Sequence, residues 1–298
     1  MKYLIYLLIL LGFFMGCDPQ NQDSYEEYIA VESYIVANST LPIVKISHTL
    51  PVDEEYSFEN SAISGANVQI TLLDEDGNDV ENFNYVSTPV NGIYRAVDVN
   101  ERVLPLQTYR LDINFNDRED ELTAYTTVPD EFSVINDIPE VLEYQGDEQL
   151  ELILSPTIRA QSQNVYVFNT IVDNPEANKL TPFYLSAVID GDSEAEDFSN
   201  NSSGLVNEGN FTINDDGTTT LLFPWIGVAF YGENKIVVNS IDSNLNNFIR
   251  SQDVQLGGST LPPGEIPNVR FNIEGGIGVF GSIASDTVTT FFTRPDGS

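Results

Sequence analysis

Cysteine, histidine and tryptophan each occur once in this 298-residue chain, and 12 lysines and arginines face 46 aspartates and glutamates. A single cysteine excludes an internal disulfide, so stability has to come from apolar burial. A single histidine, His48, cannot by itself build a zinc centre or a Ser-His-Asp system. The sequence also lacks any G-x-S-x-G, H-E-x-x-H or C-x-x-C pattern. We read His48 as a polar residue on a strand over residues 43–50. The shortage of cations leaves a net charge of −34. Nucleic acid is thereby excluded as a partner, because binding it needs lysine and arginine to release counterions. Anionic headgroups are repelled for the same reason. No catalytic residue, metal ligand or cofactor is indicated by the remaining residues, and the chain reads as non-enzymatic. A glycoside hydrolase stays a remote alternative, since its two carboxylates are defined by a separation of roughly 5 to 9 Å that sequence does not display.

Long apolar runs are equally scarce, with one exception. Residues 1–17, MKYLIYLLILLGFFMGC, place Lys2 before an apolar run from Tyr3 to Met15, interrupted by Gly12, and close on Gly16 and Cys17. A membrane-spanning helix needs about 20 apolar residues, so this layout predicts a cleaved secretory signal. Its ending resembles a bacterial lipobox, which implies that Cys17 is acylated and becomes the mature N-terminus. An ordinary signal with an incidental cysteine is the competing reading. One acyl chain holds a membrane only marginally, whereas several hold it firmly. A lipidated Cys17 would therefore anchor the protein while the rest stays in water. Residues 18–27, DPQNQDSYEE, are polar and acidic and predict a flexible tether. Acids soon after the cysteine resemble the surface-export signal of Bacteroidota lipoproteins. Here Asp18, Asp23, Glu26 and Glu27 are spread along the tether. Attachment to the outer membrane with display at the cell surface is expected, the periplasmic face being the alternative.

Strand signals dominate the rest. Residues 109–116 alternate Tyr109, Leu111, Ile113 and Phe115 with polar neighbours, the period of two that a half-buried strand requires. Val68, Ile70 and Leu72 repeat the pattern, as do Leu150, Leu152 and Leu154, while 164–168 and 235–238 are continuous apolar runs. Asp76-Gly77 and Asp216-Gly217 predict type I′ hairpins, with positive φ at both central residues, and Asn91-Gly92 a further turn. The acidic clusters at 74–79, 190–192 and 214–217 lack EF-hand spacing. They are expected to be hairpin tips, with calcium binding left open. One segment is helical in period: Leu245, Phe248 and Ile249 lie at i, i+3 and i+4 behind a possible cap at Asp242 or Ser243. Residues 190–209 and 257–267 read as loops. We expect an all-β chain of two β-sandwich-like domains, an Ig/transthyretin-like one over 28–130 and another over 131–298 with a short helix near 242–250.

Three sequence features carry resemblances. Residues 64–77, Asn91-Gly-Ile-Tyr94 and 107–111 look like the carboxypeptidase-regulatory, transthyretin-like sandwich, in which G-A-x-V opens a strand, D-x-G turns it and G-x-Y begins the next. Nearly the whole mature chain resembles a Bacteroidota lipoprotein family catalogued as a domain of unknown function. The matching pieces are 29–34, 44–49, the Gly65-Ala66 strand, 125–129 and the closing N-I-E-G-G-I-G-V-F-G over 272–281. That resemblance implies a partner, a TonB-dependent outer-membrane transporter, and no chemistry. Asp286-Thr287-Val288 resembles the short O-glycosylation signal of Bacteroidota; a solvated strand start is the alternative.

Residues 276–281 also match G-x-G-x-x-G, but that fingerprint works only between a strand and a helix. The next segment, 287–293, reads as a strand, so close backbone packing at a glycine-rich bend is expected instead. Trp225 and Tyr231, within the aromatic run 223–231, are the candidate ligand-contact residues; core packing is the competing reading. The expected function is ligand capture or docking in the service of a transporter, with a surface adhesin or structural protein as the alternative.

Overall fold

A computed structural model describes residues 25–158, 163–191, 193–258 and 268–295. Cys17, the leader and tether residues 18–24 lie outside the described residues, as does 259–267. The chain is all-β and sandwich-like, with few and short helices. Its first half forms β1 (Ile29–Val36), β2 (Val44–His48), the one-turn helix α1 (Phe58–Ser61), β3 (Ala66–Leu73), β4 (Asp79–Ser87), β5 (Ile93–Ala96), β6 (Thr108–Phe115) and β7 (Glu121–Thr127). In β6, Tyr109, Leu111, Ile113 and Phe115 are buried and alternate with less buried residues, as the period of two dictates. β4 pairs with β3 up to Asn84 and with β5 from Tyr85, so it passes from one layer to the other.

The second half adds β8 (Val141–Glu143), β9 (Glu151–Leu154), β10 (Val165–Ile171), helix α2 (Pro182–Ile189), β11 (Asn200–Ser202), β12 (Val206–Asn207), β13 (Thr212–Ile213), β14 (Thr219–Leu222), β15 (Gly232–Ile241), helix α3 (Ser243–Asp253) and β16 (Ile277–Thr293). A large layer runs β11-β10-β15-β16, and a small one, β13-β14-β9, is a separate sheet. The first hydrophobic cluster holds Ile46, Ile70, Tyr109 and Val128; the second begins at Phe132 and holds Leu152, Phe168 and Phe292.

Both D-G hairpins form, but not as type I′ turns. Gly77 and Gly217 take φ of 81° and 84°, while Asp76 and Asp216 keep negative φ. In each, the residue three before glycine accepts from the glycine N–H and donates to the carbonyl one residue beyond it, Asp74 with Asn78 and Asn214 with Thr218. This is a type I turn closed by a left-handed glycine. Acid side chains stabilise it locally: Asp74 accepts from the N–H groups of Asp76 and Asn78, and Asp216 accepts from that of Thr218.

β16 is longer than the expected strand over 287–293, and the glycine motif is its beginning rather than a separate bend. Residues 277–283 pair parallel with β1 and residues 283–292 antiparallel with β15, so one strand belongs to both sandwiches. The glycines are what let it pass. A Cβ on Gly278, where φ is 109°, would lie 2.0 Å from the Val31 carbonyl oxygen. On Gly276 it would meet Leu122 at 2.5 Å, and on Gly281 it would meet Leu245 of α3 at 2.4 Å. Gly276 and Gly278 thus let the β1 backbone approach closely, and Gly281 makes room for the Leu245 side chain.

α3 starts where expected: Asp242 caps it, accepting from the Leu245 N–H at 2.9 Å. α2 is an addition to the elements expected. Its sequence PFYLSAVI is apolar nearly all round, so no helical period shows; the proline at its first turn is the signal available in sequence.

Beside the β16 crossing lies a buried polar chain. Asp242, Thr126 and Ser282 are at most 2% exposed. Asp242 Oδ2 meets Thr126 Oγ1 at 2.7 Å, Thr126 Oγ1 meets Ser282 Oγ at 2.7 Å, and Ser282 Oγ donates to the Thr127 carbonyl at 2.9 Å. Three contacts need three protons, and two hydroxyls carry two. The count closes when Asp242 is protonated. Burial pushes its pKa above the ordinary 3.8, against the opposing pull of the Leu245 N–H hydrogen bond.

Both features can be tested by substitution. Gly278→Ala should destabilise by about 3 kcal/mol or more, overpacking adding to a forbidden φ, whereas Gly65→Ala, with φ of 83° and nothing within 4 Å, should cost only about 1–2 kcal/mol. Equal denaturation midpoints for the two would remove the steric role. For Asp242 the folded state holds the proton more tightly, so its contribution to stability falls as pH climbs from 3.8 through the raised pKa. Asp242→Asn donates that hydrogen bond at any pH, so its melting temperature relative to the parent should rise between pH 4 and pH 8. A pH-independent difference would contradict the protonated chain.

Candidate functional site

The second sandwich is uneven, and its site arises from that. Strand β10 and the three-residue edge strand β11 extend the large layer beyond the three-stranded small one. At that end opens a cavity of about 310 Å³, near the lower bound of ligand pockets at roughly 300–1,000 Å³.

Its walls are aromatic and aliphatic. Phe168 of β10 meets Phe211 edge-on at 5.9 Å and Phe223 at 6.1 Å. Leu221 of β14 and Ile226 of the turn Trp225–Gly227 complete the apolar lining. That turn sits tightly on the aromatic floor, since a Cβ on Gly227 would meet the Phe223 ring at 2.7 Å.

One end is polar. The Asn201 amide Nδ2 donates to Tyr184 Oη at 2.6 Å and to the Gly227 carbonyl at 3.1 Å, and Tyr184 Oη donates to the Ile226 carbonyl at 2.6 Å. A phenol has one proton, so Tyr184 must accept from Asn201, and this fixes the amide orientation. Burial raises the Tyr184 pKa, the Asn201 hydrogen bond opposing it, which keeps the phenol neutral. Among the described lining residues none is charged. α2 supplies Tyr184 and leaves its Phe183 and Ile189 61% and 73% exposed.

The two aromatics singled out from sequence sit nearby but outside this lining. Trp225 is half-buried and packs edge-on against Tyr144 at 5.5 Å and Phe292 at 6.1 Å. Tyr231 is 8% exposed, meets Tyr144 at 5.5 Å, and lies under the Arg294 guanidinium, 4.8 Å from its ring. It borders a smaller cleft of about 140 Å³ with Asp173, Lys179 and Lys235. Cys17 lies outside the described residues.

Sequence reasoning missed Tyr184, Asn201 and Phe211. The stretch 190–209, expected to be a loop, contains β11 and β12, both paired with β10, and it delivers Asn201 to the cavity. His48 ends β2, its Nδ1 2.9 Å from the Thr49 carbonyl and 3.5 Å from the Glu27 carboxylate. Thr287 is exposed in the middle of β16, paired opposite Val237, and not at a strand start. Asp130, Glu131 and Asp286 border a polar cleft of about 540 Å³ near residues 130–133, between the two hydrophobic clusters. They hold it together through the Ile158 N–H, the Asn38 amide and the Val134 N–H. Among the described residues no three His, Cys, Asp or Glu side chains are placed to hold a metal ion. No described helix is long and apolar enough to cross a membrane.

Fold and cavity together define an all-β sandwich chain with a small apolar side pocket. The chain belongs to the family described as a domain of unknown function (DUF4249), whose model matches residues 17–289. No curated protein matches the sequence. Among solved structures it is similar to Escherichia coli alpha-2-macroglobulin activated by porcine elastase, at 10% identity and a TM-score of 0.23 over 92% of this chain and 21% of that one. A tetra-tandem repeat from the extending region of a large adhesion protein gives 12% and 0.25 over 88% and 50%, respectively. Extracellular cadherin domains 3–6 of protocadherin gamma B2 give 11% and 0.20 over 90% and 50%. The chain thus spans from a fifth to half of the length of these structures.

Proposed function

We propose that this protein is a non-enzymatic lipoprotein of a Bacteroidota outer membrane, held by an acylated Cys17 at the cell surface, that captures a ligand for a TonB-dependent transporter. The observation that carries the reading is the leader, an apolar run too short to span a bilayer that closes on Gly16 and the chain's only cysteine. The family match begins at that same cysteine, in keeping with a body that starts where the leader is cut. The charge of −34 disfavours adsorption to anionic headgroups, so a lipid anchor has to supply the membrane attachment. The apolar cavity of the second sandwich gives such a protein somewhere to hold a ligand.

In the native host, mass spectrometry should find an acylated Cys17 at the N-terminus, and Cys17→Ala should move the protein out of the membrane fraction. Extraction in mild detergent should co-purify a TonB-dependent transporter in stoichiometric amount. A free thiol at Cys17 would end the anchoring proposal, and recovery of the lipidated protein alone would end the partnership.

A further inference from the structure

We infer that the cavity between β10, β11 and β14 binds a small uncharged molecule with a ring-like apolar body and one N–H or O–H group. The inference deepens the ligand-capture reading and rests on it only in taking this cavity as the capture site.

Charge is decided by what the lining omits. A carboxylate or phosphate would enter a pocket without a lysine or arginine, inside a body whose net charge of −34 already repels it. A cation would be drawn to the acidic surface, but no carboxylate lines the cavity to pair with it. Burying either ion unpaired is prohibitive, so a neutral ligand fits. Phe168, Phe211, Phe223 and Leu221 form apolar walls beside the polar Thr170, Tyr184, Asn201, Ser202 and Ser203. Those rings are held edge-to-face and present fixed surfaces to a flat apolar body.

The hydrogen-bonding group is set by proton counting. Both donors of Asn201 are spent, on Tyr184 Oη and the Gly227 carbonyl, and the Tyr184 proton is spent on the Ile226 carbonyl. Among the described residues no donor meets Asn201 Oδ1. Asn201 Oδ1 is left to accept, and the Thr170 hydroxyl, which lines the cavity opposite Asn201 on β10, accepts as well as donates, so a ligand N–H or O–H is met at this end.

A matched pair of fluorescent probes tests this on the purified protein. N-phenyl-1-naphthylamine is neutral, ring-built and carries one N–H; 1-anilinonaphthalene-8-sulfonate is the same molecule with a sulfonate. Directly excited, the neutral probe should bind saturably at one site, and the sulfonated one at least about tenfold more weakly. Leu221→Trp fills the cavity from β14, and Ser202→Arg places a long cation at its mouth from an exposed position. Each should weaken the neutral probe at least about tenfold while leaving the circular dichroism spectrum unchanged. Should Leu221→Trp disturb the fold, Ser202→Arg still decides.

Equal binding of the two probes would overturn the neutral assignment. Saturable binding untouched by both variants would place the probe elsewhere, on the exposed Phe183 and Ile189 of α2 for example, and overturn the site. Absence of saturable binding would overturn both. None of these results depends on whether a transporter co-purifies, so failure of the cavity and failure of the partnership are read separately.

Discussion

Two backbones lying closer than side chains allow set the terms for this structure. β16 runs parallel to β1 with Gly278 against the Val31 carbonyl, and it crosses Leu122 of β7 at Gly276 and Leu245 of α3 at Gly281. A parallel neighbour from the far end of the chain gains nothing from sequence proximity, so its register has to be fixed by fit. The glycines provide that fit sterically, and Phe280, fully buried in the first core, provides it by packing. Once placed, the same strand carries Ala284 and Phe292 into the second core and offers its other edge to β15. The two sandwiches are therefore joined through backbone hydrogen bonds rather than by a linker. Pairing over so long a sequence separation also implies slow folding, since loop closure must be met before the contacts form.

The Asp242 chain works at the same crossing, by a different means. Thr126 comes from β7, Ser282 from β16 and Asp242 from the turn into α3, so three elements that meet only in the folded state share three hydrogen bonds. In a chain of 46 acids most carboxylates stay in water and repel one another. Among the described residues Asp242 and Glu208 are buried, and Asp242 fits its neighbours as the neutral acid. The few cations are spent nearer the surface. Arg110 holds Asp79 with both terminal nitrogens, at 2.8 and 3.1 Å, while its Nε holds Asp112 at 2.7 Å. A planar fork suits that task better than a lysine would.

Legible in the sequence is whatever depends on neighbours along the chain. The alternation of Tyr109, Leu111, Ile113 and Phe115 marks β6, the two D-G pairs mark hairpin tips, and Asp242 with Leu245 marks α3. The turn type differs from expectation because Asp74 and Asp216 bond to backbone N–H groups within their own loops, which favours a type I turn over its mirror image. α2 escapes because an apolar helix lying half on the surface shows no amphipathic period. The start of β16 escapes for a related reason: glycine has no strand propensity, and its role at 276–281 exists only once β1 lies beside it. Asn201 has no local signal at all. Its part in the cavity depends on Tyr184 and on the Gly227 carbonyl, 17 and 26 residues away.

The cavity itself results from a mismatch in layer sizes. A three-stranded sheet cannot cover a layer that extends through β15 and β10 to β11, so apolar side chains at the far end must find cover elsewhere or meet solvent. Here α2 and the turn Trp225–Gly227 supply part of that cover, and the Tyr184–Asn201 pair ties them to β11. The cover is incomplete, leaving Phe168, Phe211 and Leu221 around a gap. An apolar opening kept at the open end of a sandwich, inside so strongly acidic a body, is the arrangement a neutral ligand needs: the surface keeps anions away, and the pocket rewards only what can leave water without leaving a charge behind.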